Sequence, residues 1–293
     1  MTELPMKDRR PTLARFVQPR RGMRARAIAA VGVLVAHACD KEPRPSPDLE
    51  RVAADADVVI AAEVVQLRLY SELRKIDFTG VDPALAGPTI VDATLGGLMS
   101  ALAEPACLTR ETDGATYLEL RFADCQHPST GRLDGAIRLE FTAVAGQCSG
   151  VACVVAVDYA LAVTDLELHS STITRSQVTL RASTDPTQPV IYASDAELPA
   201  DGRVLEARTE ASWGDDGACV TADFGIELTA PEHAAAIGGR GVRSCMGCPE
   251  AGEVQLSWGA GEAVAWEYTG EGEIAVTGPR GLDVSLSTLC AAL

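Results

Sequence analysis

The feature that most limits what this chain can become is a period of two. From about residue 115 onward, apolar side chains recur at every second position, and glycine-containing turns interrupt them. Leu118, Leu120 and Phe122 alternate with polar residues, as do Ile137, Leu139 and Phe141, and then Val155, Val157 and Tyr159. Leu205, Ala207, Thr209, Ala211 and Trp213 form a longer run, followed by Val220, Ala222, Phe224, Ile226 and Leu228. The runs Val254-Leu256-Trp258, Val264-Trp266-Tyr268, Ile274-Val276 and Val284-Leu286 are separated by Gly259-Ala260-Gly261, Gly270-Glu271-Gly272 and Gly278-Pro279-Arg280-Gly281. Successive side chains of a strand point to opposite faces, so this alternation predicts strands with one buried and one wet face. Short turns join such strands antiparallel. Asp113-Gly114, Asp201-Gly202 and Asp216-Gly217 add further turn signals. Roughly ten to thirteen strands of ordinary length fit between residues 115 and 290.

The region before them has a different period. Val58, Ala62, Val65, Leu69, Leu73 and Ile76 recur at spacings of four, three, four, four and three, which predicts one apolar stripe on a helix over about 47–76. Ser46 suits the N-cap, Pro47 the first helical position, and Asp48 and Glu50 the positive end of the helix dipole. Gly80 and Pro83 end it. A second stripe is Val91, Leu95, Leu98 and Leu102, weakened by Gly96-Gly97. The expected fold is therefore mainly β, an antiparallel multi-strand sheet or sandwich with an N-terminal helical segment. Aromatic residues are only 4% of the chain, so Val, Leu, Ile and Ala must build the core.

The first 38 residues have the layout of an export signal. Arg20, Arg21, Arg24 and Arg26 precede the apolar run 27–36, which is too short to span a bilayer. Ala36 and Ala38 present small side chains to a signal peptidase, and Cys39 follows the cleavable bond. The signal can also be read from Met23, and Arg20-Arg21 matches a twin-arginine signal poorly. Val35-Ala36-His37-Ala38-Cys39 resembles a lipobox, the recognition site of bacterial lipoprotein signal peptidase, with Ala36 where leucine is usual. The resemblance implies that the Cys39 thiol carries diacylglycerol and anchors the chain to a bacterial membrane, facing the periplasm or the cell surface. Plain secretion, with cleavage after Ala38, is the alternative. The next residues, Asp40-Lys41-Glu42-Pro43-Arg44-Pro45-Ser46-Pro47, are polar and proline-rich, as suits a stiff tether. The expected division is a signal peptide (1–38), a lipidated cysteine and tether (39–47), a helical segment (48–106) and a disulfide-bonded antiparallel β domain (107–293).

Charge narrows the partners. The first 38 residues hold eight of the 25 basic and two of the 41 acidic side chains, so the remainder carries 17 against 39, a net charge of −22. Such a surface repels a phosphate backbone, which argues against nucleic acid.

Without Cys39, eight of the nine cysteines remain, an even number that can pair fully: Cys107, Cys125, Cys148, Cys153, Cys219, Cys245, Cys248 and Cys290. In an oxidising envelope all eight are disulfide candidates, with pairing unassigned. Cys148 and Cys153 flank a short loop. Cys245-Met246-Gly247-Cys248 has the spacing of a thiol redox pair, but Pro249 and a strand pattern follow it where that chemistry needs a helix. A zinc site there would need further ligands such as Cys148 and Cys153. His127, His169 and His233 stand in polar stretches without metal-ligand spacing, and no nucleophile elbow or phosphate loop occurs. Asp215-Asp216-Gly217 reads as a turn before a calcium site. Trp213, Trp258 and Trp266 lie on apolar strand faces as core residues. No catalytic residue, metal or cofactor is therefore assigned.

Across its length the chain resembles envelope lipoproteins of high-GC Gram-negative bacteria in its signal, acidic body and cysteine-rich strands. That likeness implies a non-catalytic protein with a structural, adhesive or protein-binding β domain. A helix followed by a many-stranded antiparallel sheet also resembles the periplasmic lipoprotein-carrier and lipid-binding fold. There a curved sheet and helical lid enclose acyl chains, so the alternative is a carrier or binder of lipid or another apolar ligand. The expected partners are the membrane, through Cys39, and an envelope protein or an apolar ligand.

Overall fold

The computed structural model describes residues 47–278, apart from 75, 77, 79, 128–130, 149–150, 169–170, 186, 216–218, 246–248, 260 and 270–273. Cys39, His169, Cys248, Cys290, the Val284-Leu286 run and the whole export signal lie outside the described residues.

Two helices lead the chain. The first, α1, runs over Pro47–Arg74, and α2 over Ala86–Ala101. A turn of 3-10 helix at Pro83–Leu85 precedes α2, capped by Asp82, whose carboxylate accepts from the Ala84 amide at 2.9 Å. Ile76 falls just beyond α1. The buried face of α1 is Leu49, Val52, Ala56, Val59, Ile60, Glu63, Gln66, Tyr70 and Leu73. Of the expected stripe, Ala62 and Leu73 are buried and Val58 is half-buried. The buried face also takes in the polar residues Glu63 and Gln66, which an apolar count passes over.

Twelve strands follow: β1 (Leu108–Thr112), β2 (Tyr117–His127), β3 (Gly131–Cys148), β4 (Val151–Leu168), β5 (Ser171–Ser183), β6 (Val190–Ala200), β7 (Arg203–Asp215), β8 (Val220–Thr229), β9 (Ala234–Ser244), β10 (Pro249–Trp258), β11 (Glu262–Thr269) and β12 (Ile274–Thr277). Each pairs antiparallel with the next, giving one meandering sheet in sequence order. The period of two holds in the burial: on β6, Val190, Tyr192, Ser194, Ala196 and Leu198 are buried while Ile191, Asp195 and Glu197 face outward or are less covered. Val276 departs from this and is exposed. The β6–β7 turn uses Asp201 and Gly202, both at positive φ (49° and 75°), the geometry that a two-residue hairpin turn requires.

Two rows of bulges bend this broad sheet. In the first, extra residues on β2 and β4 flank β3, with Asp124 and Asp165 at positive φ. Between them Gly135 lies at φ 104°, where a Cβ would sit 2.3 Å from the Asp165 carbonyl oxygen. The Asp134 carboxylate closes the row by accepting from the Asp124 amide at 2.8 Å. The second row crosses β8, β9 and β10 at Asp223, Gly241 and Gly252, and the Asp223 carboxylate accepts from the Gly241 amide at 2.6 Å. Bulges raise local twist and bend the strand that carries them.

The helices cover the inner face, α1 against β5, β6, β7 and β9 and α2 against β2 and β3. Their apolar residues form one continuous core with those of the sheet. A side chain lining a void large enough for water exposes surface to it. Val59 of α1 and Ile173, Leu198 and Leu205 of the strands are 0% exposed.

Disulfides pin the ends of strands. Cys107–Cys125 ties the start of β1 to the β2 bulge, and Cys219–Cys245 ties the entry of β8 to the end of β9. Cys153 is also disulfide-bonded. The side chain of Cys148 is outside the described set.

Candidate functional site

Polar groups gather at two places, one inside the fold and one on its outer face. The inner cluster lies between α1 and the sheet. Glu63 is fully buried, and its carboxylate accepts hydrogen bonds from the Tyr192 hydroxyl at 2.6 Å and the Ser194 hydroxyl at 2.7 Å. The Thr209 hydroxyl faces the same group without completing a well-formed bond. Burial pushes the Glu63 carboxyl above its ordinary pKa, and the hydroxyl donors oppose that shift in part. Burial also raises the Tyr70 and Tyr192 hydroxyls, and the negative charge of Glu63 adds to both. Tyr70 donates weakly to Gln66 at 3.4 Å.

Two turns earlier on α1, Asp55 is gripped by Arg203 at the start of β7. The guanidinium donates from Nη2 to Oδ1 at 2.8 Å and from Nη1 to Oδ2 at 2.9 Å. His233 Nε2 lies 3.4 Å from the same carboxylate, and Glu232 joins Arg203 at 3.3 Å. The side chains of Asp55 and Arg203 are 3% and 11% exposed. His233 lies in the turn between β8 and β9, where its ring reaches the edge of this ion-pair cluster. Both clusters fix α1 on the sheet through the Glu63 bonds to Tyr192 and Ser194 and the Asp55–Arg203 pair.

The outer cluster surrounds an open depression of about 700 Å³ on the face of β2–β6 that points away from the helices. Two cross-strand rows line it. Tyr117, Glu140, Ala160 and Thr179 are successive partners across β2, β3, β4 and β5. Thr142, Asp158, Arg181 and Ile191 are successive partners across β3, β4, β5 and β6. These positions alternate with the core residues Leu139, Phe141, Tyr159 and Leu180, which is why they face outward together. With strands about 4.8 Å apart, the depression is a trough about 19 Å long.

Its charges are held in place. Arg181 clamps Asp158 with both nitrogens, Nε to Oδ1 at 2.5 Å and Nη2 to Oδ2 at 2.7 Å, and this pairing raises the arginine pKa further. Arg138 reaches Glu140 at 3.2 Å and Glu119 at 3.5 Å, and its guanidinium lies 4.4 Å from the centre of the Tyr117 ring. Ile191 leaves 52% of its surface exposed at the far end. The lining thus combines two arginines, two carboxylates and three threonines with aromatic and aliphatic side chains. Neither cysteine nor histidine lines it.

Among the described residues, the cysteines belong to neither cluster. Cys245, the first residue of the C-x-x-C motif, is bonded to Cys219 across two strands, which takes it out of any redox pair with Cys248. Trp258 and Trp266 are buried, and Trp213 packs with its ring tilted 58° against Tyr192 at 6.2 Å between centroids. Neither polar cluster was foreseen from sequence. The signal for the inner one was slight: Asp55, Glu63 and Gln66 look like the wet side of a helix. The outer one is made of residues that become neighbours only once the register of five strands is known. Compared with known proteins, the chain matches no protein-family model, no curated protein and no solved structure.

Proposed function

We propose that this protein is a lipid-anchored envelope protein that binds rather than catalyses, presenting the outer face of β2–β6 to an envelope component. The observation that carries this reading is the trough itself. Its side chains are oriented by ion pairs on a disulfide-braced sheet, and a rigid, pre-set surface loses little freedom on binding. Tyr and Arg side chains at Tyr117, Arg138 and Arg181 are the types that concentrate binding energy at interfaces. Disulfides at Cys107–Cys125 and Cys219–Cys245 fit an oxidising, exported setting. The anchor is the lipid on Cys39, joined by the tether to α1, and the Asp55 and Glu63 contacts then carry any pull on the anchor into the sheet.

A carrier of lipid or another apolar ligand has weaker support. The helices do lie over the apolar face of the sheet, but Val59, Ile173, Leu198 and Leu205, where a ligand chain would touch the wall, are fully covered.

The test has two arms. Mass spectrometry of the mature N-terminus should find a diacylglyceryl group on Cys39, and Cys39→Ser should release the protein from the membrane fraction. A photo-crosslinking residue at position 191 should then label a discrete envelope component in cells, whereas one at position 204 should not. A native protein with free Cys39, or equal labelling at both positions, would sink the reading.

A further inference from the structure

We propose that the trough across β2–β6 binds an uncharged, hydroxyl-rich chain, that is, a segment of a neutral oligosaccharide. The inference rests on the reading of this face as a binding surface and names its ligand.

The argument is one of complementarity. Arg138 and Arg181 are already matched by Glu140, Glu119 and Asp158, so neither an anionic nor a cationic ligand finds an uncompensated charge. An apolar ligand finds Ile191, Ala160 and the Tyr117 ring, but it would also have to cover the charged pairs and threonine hydroxyls set among them. An extended peptide gains no strand pairing here, because it would lie across β2–β6, whose backbone groups are bonded to their neighbours in the sheet. A sugar hydroxyl both donates and accepts, so it can insert beside a carboxylate and a guanidinium without separating them. The Glu140 and Asp158 oxygens, the Arg138 and Arg181 nitrogens, and the Thr142 and Thr179 hydroxyls stand together across β3, β4 and β5, so a row of vicinal hydroxyls meets donors and acceptors on each of those strands. The Tyr117 ring and Ile191 stand at opposite ends, where the weakly polar C–H faces of sugar rings can rest. The length of about 19 Å suits an extended chain better than a single ring.

The experiment is calorimetric titration of the purified full chain with cellohexaose, maltohexaose and chitohexaose. At least one should bind with a Kd of about 1 mM or tighter. Ala160→Arg fills the trough floor and Ile191→Lys removes its apolar end, and both positions are exposed, so the fold should be retained. Each should weaken binding at least about tenfold, while Val204→Lys, on the same face but outside the trough, should leave it unchanged. Absence of binding by all three sugars at about 10 mM, or binding indifferent to Ala160→Arg, overturns the proposal. So does a peptide ligand that competes for the trough when no sugar does. If the sugars fail while cross-linking at 191 still labels an envelope component, only this inference falls. If both fail, the reading of the face falls with it.

Discussion

The Tyr192 hydroxyl donates to Glu63 Oε2 at 2.6 Å across 129 residues of chain, deep between α1 and β6. A buried carboxyl without a cation beside it is expensive unless its oxygens are hydrogen-bonded, and hydroxyls from the sheet supply those bonds. This contact makes a polar residue of the first helix part of the core.

Removing Glu63 should therefore cost more than its size suggests. Glu63→Ala leaves two buried hydroxyls without their acceptor and opens a void, and we expect a loss of about 2–4 kcal/mol in urea unfolding. Tyr192→Phe removes a single donor and should cost about 1–2 kcal/mol. Equal losses from the two variants would contradict the network.

The same carboxyl should leave a mark on the pH dependence. Its pKa is raised in the fold, so the folded state holds this proton more tightly than the unfolded chain does. The resulting stability is complete below the ordinary glutamate value of 4.5 and is lost as pH climbs through the raised folded value. The urea midpoint of the native protein, measured against that of Glu63→Gln, should thus fall with rising pH from about 4.5 upward. A difference that grows with pH would reverse the sign and refute the assignment.

The Asp55–Arg203 pair should behave as a buried pair and not as a surface one. Asp55→Leu or Arg203→Leu alone strands the remaining partner, so each should lower the urea midpoint more than Arg175→Ala, which breaks an exposed pair with Glu197. The double variant Asp55→Leu with Arg203→Leu should be less damaging than the worse single change. Additive losses in this cycle would show that the two side chains do not act as a pair.

Cys245 should be unreactive in the native protein. Alkylation before reduction should leave it and Cys219 unmodified, and Cys219→Ser should cost about 2–4 kcal/mol by freeing a loop of 26 residues. Free thiol at 245 in the untreated protein would restore the redox reading of the motif.

Gly135→Ala should disrupt the first row of bulges. The site demands a positive φ and has no room for a Cβ beside the Asp165 carbonyl, so a cost of about 1–3 kcal/mol is expected. Gly114→Ala shares the positive φ but has open space around it, so it should cost less. Thermal melts of the two variants compare them directly.

Local chemistry decided much of this protein from its sequence alone. Alternation in runs such as Val254-Leu256-Trp258 can only bury one face of a strand, and glycine and aspartate turns can only fold such strands back on their neighbours. Leu118, Leu139, Val157 and Val264 accordingly all lie in the core; of the second stripe, Val91, Leu95 and Leu102 are buried, and the side chain of Leu98 lies outside the described residues. What only the tertiary structure decided is where polarity is tolerated and which polar residues meet. Glu63 and Asp55 are buried because Tyr192, Ser194 and Arg203 wait for them on strands more than a hundred residues away. The bulges at Asp124 and Asp165 shift the strand register, and the pairing that results sets Tyr117, Glu140, Ala160 and Thr179 in one row. Period is a property of neighbouring residues, written in the chain. Register and the satisfaction of buried charge belong to partners distant in sequence, and exist only once the sheet has formed.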